Sequence, residues 1–237
     1  MLPLKMGRGS PQAASKSLEI FDDTDANHDP EGEFMEFRLT YEGLLLGSAK
    51  DDSRADHKHE IRKAFHPQLK RLWELTPFLS EMRQPLFNGP ILVNAPRSVP
   101  RVEHLAANFT AGAFHFVPLV TEDLSLLCGL DIMFLRPGRP GVMESGDIDN
   151  RLKTLLDALR CPKKGNELGG HETPDEGENP FYCLLEDDKL VSRLSVNTDT
   201  LLEPTGKSAK HPGNDARIVI TVNIRPYSWS WGNMPFS

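Results

Sequence analysis

The chain has 237 residues, of which 38% are hydrophobic, and a formal net charge of −7 at pH 7. This length and apolar content are enough for one domain with a hydrophobic core. The sequence contains no apolar run of 18 residues and no secretory h-region, which excludes a membrane-spanning helix and predicts a cytoplasmic protein. Its three cysteines lie far apart in the sequence and form no Cys-x-x-Cys pair, so we expect neither a disulfide framework nor a cysteine-based zinc site.

The acidic residues are concentrated in two segments. Residues 19–36 contain eight acidic residues and residues 165–187 contain seven, and neither segment contains Lys or Arg. The rest of the chain therefore has 19 acidic residues against 27 Lys and Arg, a net charge of +8. Because Lys and Arg are the residues that contact phosphates, the negative total charge does not exclude a nucleic-acid partner.

The first half of the chain predicts a tail, a strand, a basic helix and a hairpin. Residues 1–32 lack apolar periodicity and are predicted to be a disordered acidic tail, preceding a single domain at residues 33–237. An alternating pattern from Phe34 to Gly43 predicts a strand. Residues 57–76 have helical spacing and many Lys and Arg, and Pro67 is expected to break or kink this helix. Two apolar runs, at 113–120 and 124–135, predict a β-hairpin.

The second half begins with a basic turn at residues 136–141, which is followed by a helix at 147–160. The polar residues 163–180 are predicted to be an inserted acidic loop. Three strands are predicted to follow, at 181–185, 190–196 and 216–224. The last of them is almost continuously apolar, which predicts burial on both faces. These elements indicate an α+β fold with a small mixed sheet packed against a few helices.

The helix at 147–160 has an apolar stripe and an acidic edge. Its stripe predicts an amphipathic helix and contains Ile148, Leu152, Leu155, Leu156 and Leu159. Helical spacing places Asp149, Lys153 and Asp157 along the adjacent polar edge, where they can share one site. Asp147 precedes them and also suits the N-cap of the helix, a purely structural role.

A second acidic element is the run Glu186-Asp187-Asp188, which lies between two apolar segments. Adjacent carboxylates repel one another unless solvent or a cation stabilises them. A solvated turn is the ordinary explanation of such a run. Mg²⁺ prefers oxygen ligands, and carboxylates converging from the helix and from this run would hold it for hydrolysis of a phosphodiester by activated water. Lys153 would then stabilise negative charge in the transition state.

The combined pattern Asp147-x-Asp149-Asn150-x-x-Lys153-x-x-x-Asp157, followed by Asp187-Asp188, resembles the signature of RusA-type Holliday-junction resolvases. By this resemblance Asp147, Asp149, Lys153 and Asp188 are the catalytic residues. The metal ligands are Asp147, Asp149 and Asp188, with Asp187 as a neighbour. The resemblance also implies a RusA-like fold, a homodimer, Mg²⁺ with Mn²⁺ as a possible substitute, and branched double-stranded DNA as substrate. It implies roles in recombination and repair at the nucleoid.

Several side chains are candidates for contacts with DNA. Arg136 and Arg139 of the basic turn precede the acidic centre and would contact phosphates. The other predicted DNA-binding residues are Asn150, Lys189, Lys63 and Lys70. Two alternatives stay open: a non-catalytic nucleic-acid-binding or regulatory protein with the same fold, and a nuclease for flaps, phage DNA or RNA.

Histidines and tryptophans outside the acidic centre have simpler interpretations. The spacing of His57, His59 and His66 does not place all three on one helical face, so we expect a solvated or DNA-facing surface rather than a metal site. Trp229 and Trp231 could stack on bases. Packing onto the domain itself or onto a dimer partner is the favoured interpretation.

Overall fold

The structure, a computed structural model, describes residues 35–47, 54–85, 98–138, 148–207 and 212–236. All of these residues belong to the unit from Glu33 to Ser237. They form an α+β fold, which confirms the predicted class. The predicted tail at 1–32 lies outside the described residues.

The described residues contain four α-helices and nine strands. The helices are α1 (Ala55–Leu75), α2 (Pro77–Glu81), α3 (Arg101–Asn108) and α4 (Ile148–Leu159). The strands are β1 (Met35–Leu44), β2 (Arg83–Pro85), β3 (Ser98–Pro100), β4 (Thr110–Ala111), β5 (Phe114–Val120), β6 (Leu126–Arg136), β7 (Phe181–Leu185), β8 (Val191–Thr200) and β9 (Asp215–Pro226). None of these helices combines the length and the apolar character that crossing a membrane requires.

The largest sheet has four strands in the order β1-β9-β6-β8. Strand β9 is antiparallel to both of its neighbours, whereas β6 and β8 are parallel. In β9, buried residues such as Ile218 and Ile220 alternate with half-buried ones such as Val219 and Thr221. The prediction that this strand is buried on both faces is therefore wrong. One face of the sheet joins the core, and the other carries polar and partly exposed side chains.

The predicted hairpin is also wrong. Strands β5 and β6 are consecutive in the chain, but β5 pairs in parallel with β7, whereas β6 pairs with β8 and β9. Residues 116–120 are all buried, which is the pattern of a strand covered on both faces. A buried strand of this kind is typical of parallel pairing, in which the neighbouring strand comes from a distant part of the chain. The turn at 121–125 thus joins two sheets instead of two hairpin strands.

Helix α1 is the central helix of the fold. It packs against β7, α4 and β1 and buries Ile61, Phe65, Leu69 and Trp73 almost completely. The expected break at Pro67 does not occur, since the helix runs continuously through this residue. Proline has no N–H to donate to the carbonyl group four residues earlier in the helix. Pro67 is exposed, so water can donate to this carbonyl group instead.

Asn233 anchors the C-terminal segment after β9, but the two tryptophans of this segment are exposed to solvent. The fully buried Asn233 amide donates 2.7 Å hydrogen bonds to the carbonyl oxygens of Leu124 and Ser228. Trp229 and Trp231 are nevertheless 71% and 90% exposed. The tail thus packs onto its own domain through Asn233, but its two tryptophans do not, and packing of these side chains onto a dimer partner stays a prediction.

Candidate functional site

Helix α4 has the predicted amphipathic character. Ile148, Leu155 and Leu159 are buried, whereas Asp149 and Lys153 are exposed and lie one helical turn apart. Asp149 is in the first turn, where a negative charge is favourable because of the unpaired N–H groups of the helix. Asp147 lies outside the described residues, so both its N-cap role and its role as a ligand stay predictions.

Asp187 follows the end of β7 and is strongly stabilised as an anion. It accepts hydrogen bonds from the ammonium group of Lys163 and from the backbone N–H of Lys189, the latter at 3.1 Å. The hydrogen bond from Lys163 is the main cause that lowers the pKa of Asp187 to about 2. Asp187 is therefore ionised at any pH near neutrality.

Asp188 behaves in the opposite way. Partial burial is the largest cause that raises its pKa, and the hydrogen bond and negative charge of Asp187 raise it further. Asp157 adds in the same direction, and Arg160 opposes it. The charge of Asp187 thus makes ionisation of Asp188 less favourable, and a divalent cation beside the pair would make it more favourable.

The carboxylate pair lies beside the end of α4 and not beside its start. The backbone N–H of Cys161 donates a 2.9 Å hydrogen bond to the carbonyl oxygen of Leu185, which aligns the two chain segments. Asp157, in the last turn, forms a 2.7 Å ion pair with Lys58 of α1. Asp149 lies eight residues earlier, about 12 Å along the helix axis.

The described members of the predicted metal site are Asp149, Asp187 and Asp188. Their carboxylates are not among the described groups of three ligands whose atoms lie within 4.8 Å of one another. The structure instead brings Asp188 close to Asp187 and to the charges of Asp157 and Arg160. The predicted set also includes Asp147, so its convergence stays a prediction.

A groove that the sequence does not predict borders the pair. Because β5 and β7 are parallel, their carboxyl ends place Glu122 next to Glu186, whose carboxylate accepts the Glu122 backbone N–H at 2.9 Å. One cavity of about 240 Å³ is lined by Asn108, Lys163, Glu186 and Asp187, among others. A second, of about 470 Å³, shares Asn108 and Glu186 and adds His104, Glu122 and Asp123.

All three of the predicted DNA-binding lysines have partners within the chain. Lys63 forms ion pairs with Asp175 at 2.6 Å and Glu178 at 3.5 Å. Lys70 donates a 3.4 Å hydrogen bond to the carbonyl oxygen of Gly177, and Lys189 pairs with Glu122. The acidic segment thus neutralises part of the basic surface of α1.

The remaining predicted DNA contacts differ in exposure. Asn150 is exposed. Arg136, the last residue of β6, is only 9% exposed, so the fold does not present it freely to a phosphate. Arg139 lies outside the described residues.

The predicted acidic loop, residues 163–180, is folded against α1. Gly169 has a φ of +64°, and a Cβ at this position would lie 2.1 Å from backbone atoms of Asp56. The ring of His66 accepts the N–H of Tyr182 at 2.9 Å and donates to the carbonyl oxygen of Gly177 at 3.1 Å. This close approach makes the segment part of the core architecture.

The prediction of a solvated or DNA-facing surface is wrong for His59 and His66, which are 0% and 6% exposed. Both rings belong to an aromatic cluster around Phe181. Burial is the main cause that lowers the pKa of His59 to about 3, so this side chain is neutral. His57 accepts the backbone N–H of Leu46 at 3.1 Å.

Comparison with known proteins adds no relative: no family model, no curated protein and no solved structure matches the chain. The resemblance to RusA-type resolvases therefore depends on the sequence motif alone.

Proposed function

We propose that the chain is a metal-dependent endonuclease that hydrolyses phosphodiester bonds of branched DNA. The observation that supports this most directly is the Asp187–Asp188 pair. One carboxylate has a lowered pKa and the other a raised pKa, and the two are in direct contact just after the end of β7. This is the electrostatic situation that a divalent cation bound to carboxylate oxygens would relieve.

In this proposal the Asp187–Asp188 pair would hold Mg²⁺ or Mn²⁺, since carboxylate oxygens suit either ion. The predicted ligands Asp147 and Asp149, at the other end of α4, would have to approach the pair to complete the centre. The ion would supply an activated water and neutralise charge on the scissile phosphate. The exposed side chain of Lys153, one turn from Asp149, would stabilise the charge that develops on the phosphate. Lys163 keeps Asp187 ionised and ready for a cation.

The choice of substrate rests on the RusA-type motif and on charge. Outside its two acidic segments the chain has a net charge of +8, which favours contact with a phosphate backbone. A four-way junction has two equivalent strands to cut, and a symmetric homodimer would supply two matching sites. The proposal thus includes a homodimer that acts on junctions at the nucleoid.

The test is Mg²⁺-dependent cleavage of a synthetic four-way junction by the wild type and by two variants, Asp149→Asn and Asp188→Asn. Both variants should lose cleavage while retaining junction binding. Asp199→Asn is the matched control, since Asp199 is an exposed residue of β8 that the proposal does not use. Undiminished cleavage by Asp149→Asn would refute the proposed centre. Duplex, flap and RNA substrates tested in parallel determine the substrate class.

One observation favours a second candidate function. The carboxylates of Asp149, Asp187 and Asp188 do not form one of the described groups of three ligands within 4.8 Å. This observation favours a nucleic-acid-binding or regulatory protein without turnover. Calorimetric titration with Mg²⁺ and Mn²⁺ separates the two candidates. A nuclease centre should bind the ion in the wild type and lose it in Asp188→Asn, whereas a non-catalytic protein has no need of that site.

A further inference from the structure

Three side chains of types that can bind metals lie together at the start of α1, where the segment at 163–180 contacts this helix. Asp56 and Glu60 are four residues apart, so both carboxylates lie on one face of the helix. The Nε2 atom of His171 lies 3.1 Å from Asp56 Oδ1 and 3.5 Å from Glu60 Oε1. Among the described residues, these form the one group of three such ligand atoms within 4.8 Å of one another.

We propose that Asp56, Glu60 and His171 bind a zinc-type divalent transition-metal ion that fastens the acidic segment to α1. This site is separate from the Asp187–Asp188 pair and does not depend on the proposed nuclease activity. The segment at 163–180 would contribute one ligand, His171, to this ion. The ion would connect two parts of the chain that are more than 100 residues apart in sequence.

The chemistry of the three ligands selects the class of ion. Imidazole nitrogen suits Zn²⁺ and its neighbours in the transition series, whereas Mg²⁺ prefers ligands that are all oxygen. In a tetrahedral zinc site with bonds of about 2.0–2.1 Å, neighbouring ligand atoms lie about 3.3 Å apart. The distances from His171 to Asp56 and Glu60, 3.1 and 3.5 Å, bracket this value, so both carboxylates stand at the spacing from the imidazole that a shared ion requires.

Charge balance supports an ion over a simple ion pair. A single N–H on His171 Nε2 faces two carboxylates and can make one linear hydrogen bond. A divalent cation neutralises both carboxylates and binds the neutral ring. Asp56 and Glu60 are exposed and His171 is half-buried, so the ion can enter from solvent.

The ring that packs against His171 is itself buried. The Nε2 atom of His59 is buried and has no hydrogen-bond partner among the described residues. Arg62 approaches Nδ1 of this ring at 3.2 Å and, being a donor only, places the ring proton on Nε2. The His59 ring packs on His171 with centroids 4.6 Å apart. This contact holds the His171 ring in place beside Asp56 and Glu60.

The test is calorimetric titration of the full, chelator-treated chain with ZnCl₂. The wild type should bind with a saturable affinity that His171→Ala and Glu60→Gln each lower at least about 100-fold, since even indirect partners of metal ligands contribute about 10–100-fold. His115→Ala is the control, because His115 is an exposed histidine outside the cluster. Its affinity should equal that of the wild type.

Thermal unfolding gives a second measurement. Zn²⁺ should raise the melting temperature of the wild type, of His115→Ala and of Asp188→Asn, but not that of Glu60→Gln. Glu60→Gln keeps the shape of an exposed side chain, so it carries the test if His171→Ala does not fold. No saturable Zn²⁺ binding, equal affinity in Glu60→Gln, or a preference for Mg²⁺ would overturn the proposal. Loss of cleavage in Asp188→Asn with zinc binding intact separates this site from the nuclease centre.

Discussion

The ammonium group of Lys163 donates a hydrogen bond to the carboxylate of Asp187 and thereby joins the segment after α4 to the turn after β7. Asp187 is buried on most of its surface, with 14% of its side chain exposed, whereas Lys163 is 60% exposed. The ion pair therefore stabilises an anion that the fold surrounds more closely than its cationic partner. It also forms part of the wall of the smaller cavity.

Stability should depend on this pair at acidic pH. The pKa of Asp187 is lowered in the folded state to about 2 from 3.8, so its contribution is complete above pH 3.8 and is lost as the pH falls towards 2. Lys163→Met should lower the free energy of unfolding by about 0.5–1 kcal/mol at pH 7. Urea unfolding at a series of pH values should show the difference between variant and wild type shrinking towards pH 2. A constant difference would contradict this assignment.

Arg62→Met should be among the most destabilising substitutions in α1. Arg62 is 1% exposed and donates hydrogen bonds to the carbonyl oxygens of Asp157 at 3.0 Å and Arg160 at 3.2 Å, in and just after the last turn of α4. Removing the guanidinium leaves these carbonyl groups without a donor, at a cost of about 3 kcal/mol in unfolding free energy.

The matched control for Arg62 is Arg71→Met on the same helix. Among the described residues Arg71 pairs with Glu74 alone, and both side chains are at least half exposed, so the expected loss is below about 0.5 kcal/mol. Urea denaturation of the two variants measures the contrast. Similar losses in both would show that Arg62 does not hold the end of α4.

Local periodicity explains which parts of this fold the sequence predicts. The stripe of α4 and the strands β1, β7 and β9 follow from side chains only a few residues apart, and the structure has all four elements. The partner of β5 does not follow in this way, because β7 begins more than 60 residues later. A parallel pairing requires such a distant partner, and the groove at Glu122 and Glu186 depends on it.

Only part of the candidate site follows from the sequence. The acidic residues of the run at 186–188 stand out in the sequence, but the pairing of Lys163 with Asp187 depends on the path of the chain after α4. Similarly, the sequence predicts a DNA contact for Lys63 and not its ion pairs with Asp175 and Glu178. These two acidic residues lie more than 100 residues away in the chain. Long side chains pair with whatever charge the tertiary fold brings near them.

Gly169→Ala should destabilise the fold more than Gly177→Ala. Both glycines have a positive φ, which costs other residues about 1–2 kcal/mol. At Gly177 a Cβ meets no atom within 4 Å, whereas at Gly169 it would meet the Asp56 backbone at 2.1 Å. Gly177→Ala should therefore lose only the conformational term in urea unfolding. Gly169→Ala should exceed it by at least about 1 kcal/mol, and equal losses would argue against tight packing of the segment on α1.

The three cysteines should resist alkylation in the folded protein. All three thiols are buried, and burial raises the pKa of Cys128 to about 12. Burial, together with a hydrogen bond to Cys183, also raises the pKa of Cys161. Since the thiolate is the reactive form, iodoacetamide at pH 8 should modify none of them in the native state and all three in urea, as counted by intact mass. Rapid native labelling of Cys161 or Cys183 would show that the cluster around Phe116 and Phe181 opens readily.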